Sequence, residues 1–373
     1  MPTEPIPIIR PTLPDLNAVR ELLEPSYNDG LVTTGSLVRN LELEIEKYTG
    51  SSHAVAVSSC TSGLMLAYAA MNFPEGSEVI LPSFTFAATA QAILWNKLTP
   101  VYVDCLPATL TIDPKQVIEA ISPSTAAICP VTIFGLPPDI AELVNISKRY
   151  DIPLIFDSAQ GLGAKYKDRR LGAFGLCEVF SMSPTKVITA IEAGVLTTNN
   201  TELADKIRSL RDYGKGPDGQ EMIYIGLSAR LSELHAAVGL SGISNADSLI
   251  NSRLRLIHAY RDRLGVLPGC SVQTFPDDRT SSGNYFTLLI GPDAKIDREA
   301  VYDALKAQNI QSKRYFYPPV HAQKAFRSSP GRVVGALPNT VSASHESLAL
   351  PLFSHMTEEQ QDRICRVIES ALS

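Results

Sequence analysis

Short apolar runs near 54–58, 78–81, 99–103, 125–131, 152–157, 178–182 and 194–198 alternate with stretches whose apolar positions recur at helical spacing. Strands buried on both faces read as continuous apolar runs of this length. Their alternation with helical patterns predicts a mainly parallel sheet flanked by helices on both faces. Helical patterns at 229–241 and 247–264 lead out of this region. Beyond about 265 the character changes. Tyr285-Phe-Thr-Leu-Leu-Ile290 reads as a strand, 297–308 as a helix and 357–371 as an amphipathic closing helix. The expected organisation is α/β: a large domain over 1–245 with a mainly parallel central sheet, and a smaller C-terminal α+β domain over 246–373.

Three segments at strand ends carry candidate chemistry. The run ending at Ser181 delivers Lys186 into a turn rich in Ser, Thr and Pro, and a second strand starts at Gly194. Burial disfavours a protonated amine, and a neutral amine attacks aldehydes, so Lys186 is a candidate Schiff-base nucleophile. A surface lysine on a loop is the plainer reading. Asp151-Ile-Pro-Leu-Ile-Phe-Asp157 places Asp157 at the C-terminal end of a buried parallel strand, where open α/β sheets bind ligands. A half-buried carboxylate needs a cationic or N–H partner. A pyridinium nitrogen meets that need, and so does a helix N-terminus or a structural arginine. The third segment, Ala54 to Ala70, runs a strand into an Ala/Leu-rich helix through Ser58, Ser59, Thr61, Ser62 and Gly63. Free N–H groups and the helix dipole suit a phosphate there, and ordinary N-capping explains the same residues.

An aldehyde for the lysine, a ring nitrogen for the aspartate and a phosphate for the helix end are all present in pyridoxal 5′-phosphate (PLP). The chain resembles the DegT/DnrJ/EryC1/StrS family of PLP-dependent sugar aminotransferases, of the aspartate aminotransferase superfamily (fold type I), from roughly Leu31 to the end. The resemblance rests on an ordered set of matches. They are Thr33-Thr34-Gly35, Ser59-Cys-Thr-Ser-Gly-Leu64, Leu81-Pro-Ser-Phe-Thr-Phe86, Phe156-Asp-Ser-Ala-Gln160, Ser181 to Gly194, Arg230-Leu-Ser-Glu233 and Arg314-Tyr-Phe-Tyr-Pro-Pro-Val-His321.

The resemblance implies roles. Lys186 binds the cofactor aldehyde and then shuttles a proton, and Asp157 keeps the pyridine nitrogen protonated. Phe86 stacks on the ring, Gln160 bonds the phenolic oxygen, and Thr61, Ser62 and Ser181 hold the phosphate. Thr33, Thr34, Glu192, Arg230, Tyr315, Tyr317 and His321 are substrate candidates. Tyr317-Pro-Pro-Val equally fits a rigid turn against the large domain, and Glu192 a solvated loop carboxylate. Cys60 and Ala193 stand where the family usually has Gly. Ser228 stands where many relatives have an Asn that reaches the phosphate of the neighbouring subunit, so Ser228 is the shorter counterpart in that cofactor contact. The family is homodimeric, with active sites at the subunit interface.

Composition narrows the remaining classes. The chain has 373 residues, 45% hydrophobic and 19% charged, as in a folded enzyme and unlike a disordered chain. A net charge of −6, with no block of like charges, argues against a nucleic-acid surface. The cysteines are far apart with no C-x-x-C, and the histidines lack ligand spacing, so neither disulfides nor a metal is expected. The Met1-Pro-Thr-Glu-Pro start lacks a signal-peptide core and no run is long enough to span a membrane, so a cytoplasmic enzyme is expected. No G-x-G-x-x-G follows the first strand, which disfavours a dinucleotide site.

The expected activity is transfer of an amino group from L-glutamate to a nucleotide-linked keto-deoxy sugar, a 4-keto-6-deoxyhexose, by a ping-pong route. Alternatives are an aminotransferase for a keto-cyclitol or 3-keto sugar, or a non-catalytic PLP-binding regulator. Family dehydratases carry histidine in place of the lysine, so Lys186 argues against that chemistry.

Overall fold

The computed structural model describes residues 4–373; the expectation about the chain start rests in part on Met1–Thr3, outside these residues. A four-stranded parallel sheet places Thr99–Val103 between Arg332–Val333 and Glu78–Pro82, with Thr125–Ile128 beyond Glu78–Pro82. A second four-stranded sheet runs in the order Ile155–Asp157, Cys177–Ser181, Gly194–Thr198, His53–Val57. Parallel bridges Ile128–Leu154 and Val131–Asp157 join the two sheets. Gly194–Thr198 is antiparallel to both neighbours, and the remaining pairings are parallel. The mainly parallel sheet expected from the pattern is therefore present.

Side chains on these strands alternate between two cores, as the pleat requires. Ile80 and Phe180 enter one apolar cluster with Leu41, Ile45, Val101 and Phe156. Their neighbours Val79, Leu81 and Val179 enter the other, with Leu64, Tyr68 and Leu196. Helices Ser36–Thr49 and Glu233–Ile243 belong to the first layer; Cys60–Met71 and Thr201–Leu210 belong to the second.

Two expected strands are shorter than their apolar runs. The 125–131 run is ladder only to Ile128, and the 152–157 run starts its strand at Ile155. Pro130 and Pro153 lack an N–H and interrupt the ladder. Their carbonyls still accept, from Asp157 N–H at 2.9 Å and Ile128 N–H at 3.0 Å. The helix expected over 229–241 starts instead at Glu233. Ala229 and Leu231 are held extended by carbonyl contacts to Ser58 N–H and Thr34 N–H, and the Ser232 hydroxyl caps the helix.

The C-terminal part has a three-stranded antiparallel sheet of Cys270–Val272, Phe286–Ile290 and Ser347–Leu350. Tyr260, Leu288, Leu350 and Ile364 fill its core beneath helices Ala246–Leu264, Arg298–Ala307 and Glu358–Leu372. Two segments pack across the boundary expected at 245/246. Ile6 pairs with Ile310 and is buried in the C-terminal core. Arg332–Val333 returns to the large sheet, where Arg332 Nε meets Glu78 Oε1 at 2.6 Å. No helix among the described residues is long and apolar enough to cross a membrane.

Candidate active site

At the C-terminal ends of the parallel strands lies a cavity of about 300 Å³. It is lined by Thr61, Phe86, Asp157, Gln160, Ser181, Lys186, Glu192 and Tyr315, all singled out from the sequence, and by Ser59, Cys60, Ala88, Ala159, Ser183, Thr185, Ala193, Tyr285 and Phe316.

Lys186 sits in the loop between Cys177–Ser181 and Gly194–Thr198. Lys186 N–H bonds to Ser183 O at 3.0 Å, which closes a turn. Its amine has no ion pair or hydrogen bond among the described residues. Burial holds its pKa below the usual lysine value, only partly opposed by Cys60 and Asp157. A neutral amine at this position is a nucleophile and a proton acceptor.

Asp157 ends its strand, only 4% exposed. Thr89 Oγ1 donates to its Oδ2 at 2.7 Å and Ala159 N–H to its Oδ1 at 3.1 Å. Burial nevertheless holds the carboxyl above the usual range, against the Thr89 and Ala159 hydrogen bonds and the Lys186 charge. No cation lies within ion-pair distance among the described residues, so this carboxylate has room for a cationic partner from the cavity side.

Helix Cys60–Met71 opens on the same cavity. Ser59 and Ser62 form a capping box: Ser62 N–H donates to Ser59 Oγ and Ser59 N–H to Ser62 Oγ, both at 3.1 Å. That leaves the N–H groups of Cys60 and Thr61 without a hydrogen-bond partner among the described residues, as a helix start does. The Ser62 hydroxyl is occupied by the capping box and does not line the cavity. Ser181 Oγ does line it, accepting from Ser183 N–H at 3.3 Å. Gly194 lets its strand approach this helix start, since a Cβ there would lie 2.4 Å from the Ser59 carbonyl carbon. Cys60 is accommodated because its thiol is buried and directed to Val179 O at 3.5 Å. Burial pushes that thiol well above its usual pKa.

Phe86 is the N-cap of helix Ala87–Trp95 and presents its exposed ring to the cavity, 6.3 Å from the Phe316 ring. Gln160 Oε1 accepts from Phe134 N–H at 2.6 Å, so its amide NH₂ is the end left free to donate. Phe134 stacks on Phe316 at 5.7 Å, Tyr315 stacks on Phe316 at 5.2 Å, and Tyr285 meets Tyr315 edge-on at 5.3 Å. These rings make a wall contributed by several loops.

The remaining sequence candidates lie elsewhere in the chain. Tyr317 packs under the Arg298 guanidinium at 4.9 Å and against His345 at 5.1 Å. His321 Nδ1 lies 2.6 Å from Ser83 Oγ. Neither lines this cavity, whereas Tyr315 of the same motif does. Thr33, Thr34, Ser228 and Arg230 form a separate group. Thr33 Oγ1 donates to Leu231 O at 3.0 Å and Thr34 N–H to the same carbonyl at 3.2 Å. Ser228 is exposed and bridges to Asp212, which pairs with Arg230 at 3.2 Å.

Thr89, Tyr285 and Phe316 are not among the site candidates of the sequence; Tyr285 stands there only as a strand residue and Phe316 only inside the late motif. Thr89 left a signal, as a β-branched hydroxyl residue within the Ala-rich run Ala87–Trp95. Tyr285 and Phe316 reach the cavity through tertiary packing and left none.

An uncharacterized protein of Methanocaldococcus jannaschii is 30% identical over 380 residues, 99% of this chain and 98% of that protein. The structure of DesI in the presence of its TDP-sugar product is 32% identical, with a TM-score of 0.92 over 99% of this chain and 93% of that one. S. venezuelae DesV, in complex with a ketimine intermediate, is 29% identical, with a TM-score of 0.89 over 100% of both chains. With the DegT/DnrJ/EryC1/StrS aminotransferase family model matched over residues 15–369, the chain belongs to that family and is a PLP-dependent aminotransferase.

Proposed function

We propose that this aminotransferase moves an amino group from L-glutamate to the keto group of a nucleotide-linked 4-keto-6-deoxyhexose, as a cytoplasmic homodimer with sites at the subunit interface. The observation that carries the reading is the convergence of Lys186, Asp157 and the Cys60–Thr61 helix start on one cavity. The TDP-sugar product of DesI, 32% identical, supports a nucleotide sugar as the acceptor.

The residues fit PLP by their chemistry. The unpaired N–H groups of Cys60 and Thr61, with the Ser181 hydroxyl, suit a phosphate. Buried Asp157, with no ion-pair partner among the described residues, suits a protonated ring nitrogen. The amide NH₂ of Gln160 suits a phenolic oxygen, and Phe86 offers a ring face. When bound, PLP supplies an aldehyde for amine exchange and a ring that withdraws electrons from the reacting carbon.

The chain's own residues do the rest. Lys186 is the amine that anchors the aldehyde and, once displaced, takes and returns a proton at Nζ. Its burial lowers the amine's pKa and so favours the neutral form that can accept. Asp157 holds a proton on the facing nitrogen through its negative charge. The wall of Tyr285, Tyr315 and Phe316 excludes water from one side, and Glu192, exposed at the rim, meets the incoming amine or sugar. Thr33, Thr34, Ser228 and Arg230, which do not line this chain's cavity, are proposed to complete the partner's site.

Incubation with L-glutamate and dTDP-4-keto-6-deoxyglucose, followed by mass spectrometry for keto-to-amino conversion, tests the reading. GDP- and UDP-linked counterparts and a keto-cyclitol complete the panel. Turnover of the keto-cyclitol alone would overturn the sugar assignment.

A further inference from the structure

Helix Ala87–Trp95 begins with Phe86 at the cavity and places Thr89 one turn later, beneath Asp157. Thr89 is fully buried, and its Oγ1 lies 2.7 Å from Asp157 Oδ2. Two other oxygens are in reach: Phe86 O at 3.1 Å and Thr85 Oγ1 at 2.9 Å. A hydroxyl has one proton, and a carboxylate is the strongest acceptor of the three and the nearest. Thr89 therefore donates to Asp157, and the Thr85 hydroxyl, also buried, donates to Thr89. This order satisfies both hydroxyls and points a short donor chain at one carboxylate oxygen.

We propose that Thr89 is a positioning residue for transamination: its hydroxyl, backed by Thr85, keeps Asp157 ionised and in one rotamer at the floor of the cofactor cavity. The proposal rests on the reading of Asp157 as the partner of the ring nitrogen. Burial opposes the ionised form, and no cation among the described residues is within ion-pair distance of Asp157. The groups facing it are Lys186 from its loop, Cys60 and Tyr68 from helix Cys60–Met71, and Cys129. Cys60, Tyr68 and Cys129 are pushed above their usual values by burial and stay neutral near pH 7. Besides the Lys186 charge, that leaves the Thr89 hydroxyl and the Ala159 N–H as the hydrogen-bond donors to the carboxylate among the described residues. Of these, only Thr89 can be removed by changing a side chain.

The test compares full-length wild type, Thr89→Val, Thr89→Ser and Asp157→Asn. Two quantities are read: affinity of the apo form for pyridoxamine 5′-phosphate, and the pH profile of kcat in the loaded enzyme. Pyridoxamine phosphate has no aldehyde for Lys186, so its affinity reports the non-covalent contacts. Thr89→Val is expected to weaken it about tenfold or more, the size of one hydrogen bond to a charged group. Without that donor the carboxyl protonates more readily, so the acid limb of kcat moves to higher pH while KM for the acceptor stays unchanged. Thr89→Ser restores both. If Thr89→Val does not fold, Thr89→Ala, which cannot overpack, carries the comparison. Wild-type affinity and an unmoved acid limb in the Thr89 variants, with both lost in Asp157→Asn, would overturn the proposal alone. Wild-type behaviour of Asp157→Asn would overturn the reading of Asp157 and the proposal with it.

Discussion

Gly35 N–H donates to Glu233 Oε1 at 2.9 Å, tying the Thr33-Thr34-Gly35 loop to the helix that follows Arg230. Glu233 is fully buried and also accepts from Leu37 N–H at 2.9 Å, Val38 N–H at 3.0 Å and Ser26 Oγ at 3.2 Å. It acts as a remote N-cap for helix Ser36–Thr49, whose own N-cap, Gly35, has no side chain. A Cβ at Gly35 would lie 2.9 Å from the Glu233 carboxyl, so these two positions are matched. Glu233→Ala strands several buried N–H groups, each costing about 1–3 kcal/mol. The expected loss of stability exceeds about 2 kcal/mol, read by denaturant unfolding of the apo protein. An unchanged midpoint would refute the capping role.

Lys186→Ala is expected to lose the covalently held chromophore and to lower kcat by more than about a hundredfold, the lower range of acid–base contributions. The pH dependence has a defined sign. Burial lowers the lysine pKa from 10.5, so more of the amine is neutral at any given pH than in an exposed lysine. The rate of capture of PLP by the apo protein should rise with pH and reach its midpoint below 10.5. Stopped-flow absorbance gives that midpoint. A value at or above 10.5, or full turnover by Lys186→Ala, would contradict the assignment.

The chemistry legible in the sequence is the part set by local structure. Asp157 ends a buried strand, and Thr61 and Lys186 lie a few residues beyond one, so the strand ends place all three at the same edge of the sheet. The alternation of Val79, Ile80 and Leu81 likewise fixed which side chain entered which core. What the pattern left out depends on distant pairings. Tyr285 and Phe316 reach the cavity only because the C-terminal sheet docks beside the large one. Tyr317 and His321 share a motif with Tyr315, yet they leave the cavity as the chain turns toward Arg298 and Ser83.

The proposed dimer has a candidate surface. Ile225 is 97% exposed, and Tyr213, Met222, Ile223 and Tyr224 beside it are also exposed, in the loop leading to Ser228 and Arg230. Exposed apolar residues clustered in this way favour association with a partner. A second copy is the partner that would bring Ser228 and Arg230 to another cavity. Sedimentation at assay concentration should give a dimer for wild type. Ile225→Asp should shift it toward monomer and loosen cofactor retention, because a buried unpaired charge is costly. A fully active wild-type monomer would refute the shared site.

His321 carries a prediction that separates packing from substrate binding. It lies against Ser83 and Tyr102, outside the cavity. Burial lowers its pKa from 6.5, and the Asp104 charge only partly offsets this. The folded state thus resists a proton that the unfolded chain accepts. The stability tied to neutral His321 is full above about pH 6.5 and is lost as pH falls through the lower folded value. Wild type should therefore lose more stability between pH 6.5 and 5 than His321→Gln, which cannot titrate. Denaturant midpoints at the two pH values measure the difference. At neutral pH, His321→Gln should leave the acceptor KM within about threefold, since binding-pocket contacts typically cost more than this when removed. A KM raised tenfold or more, with equal acid sensitivity of the two proteins, would return His321 to the substrate wall.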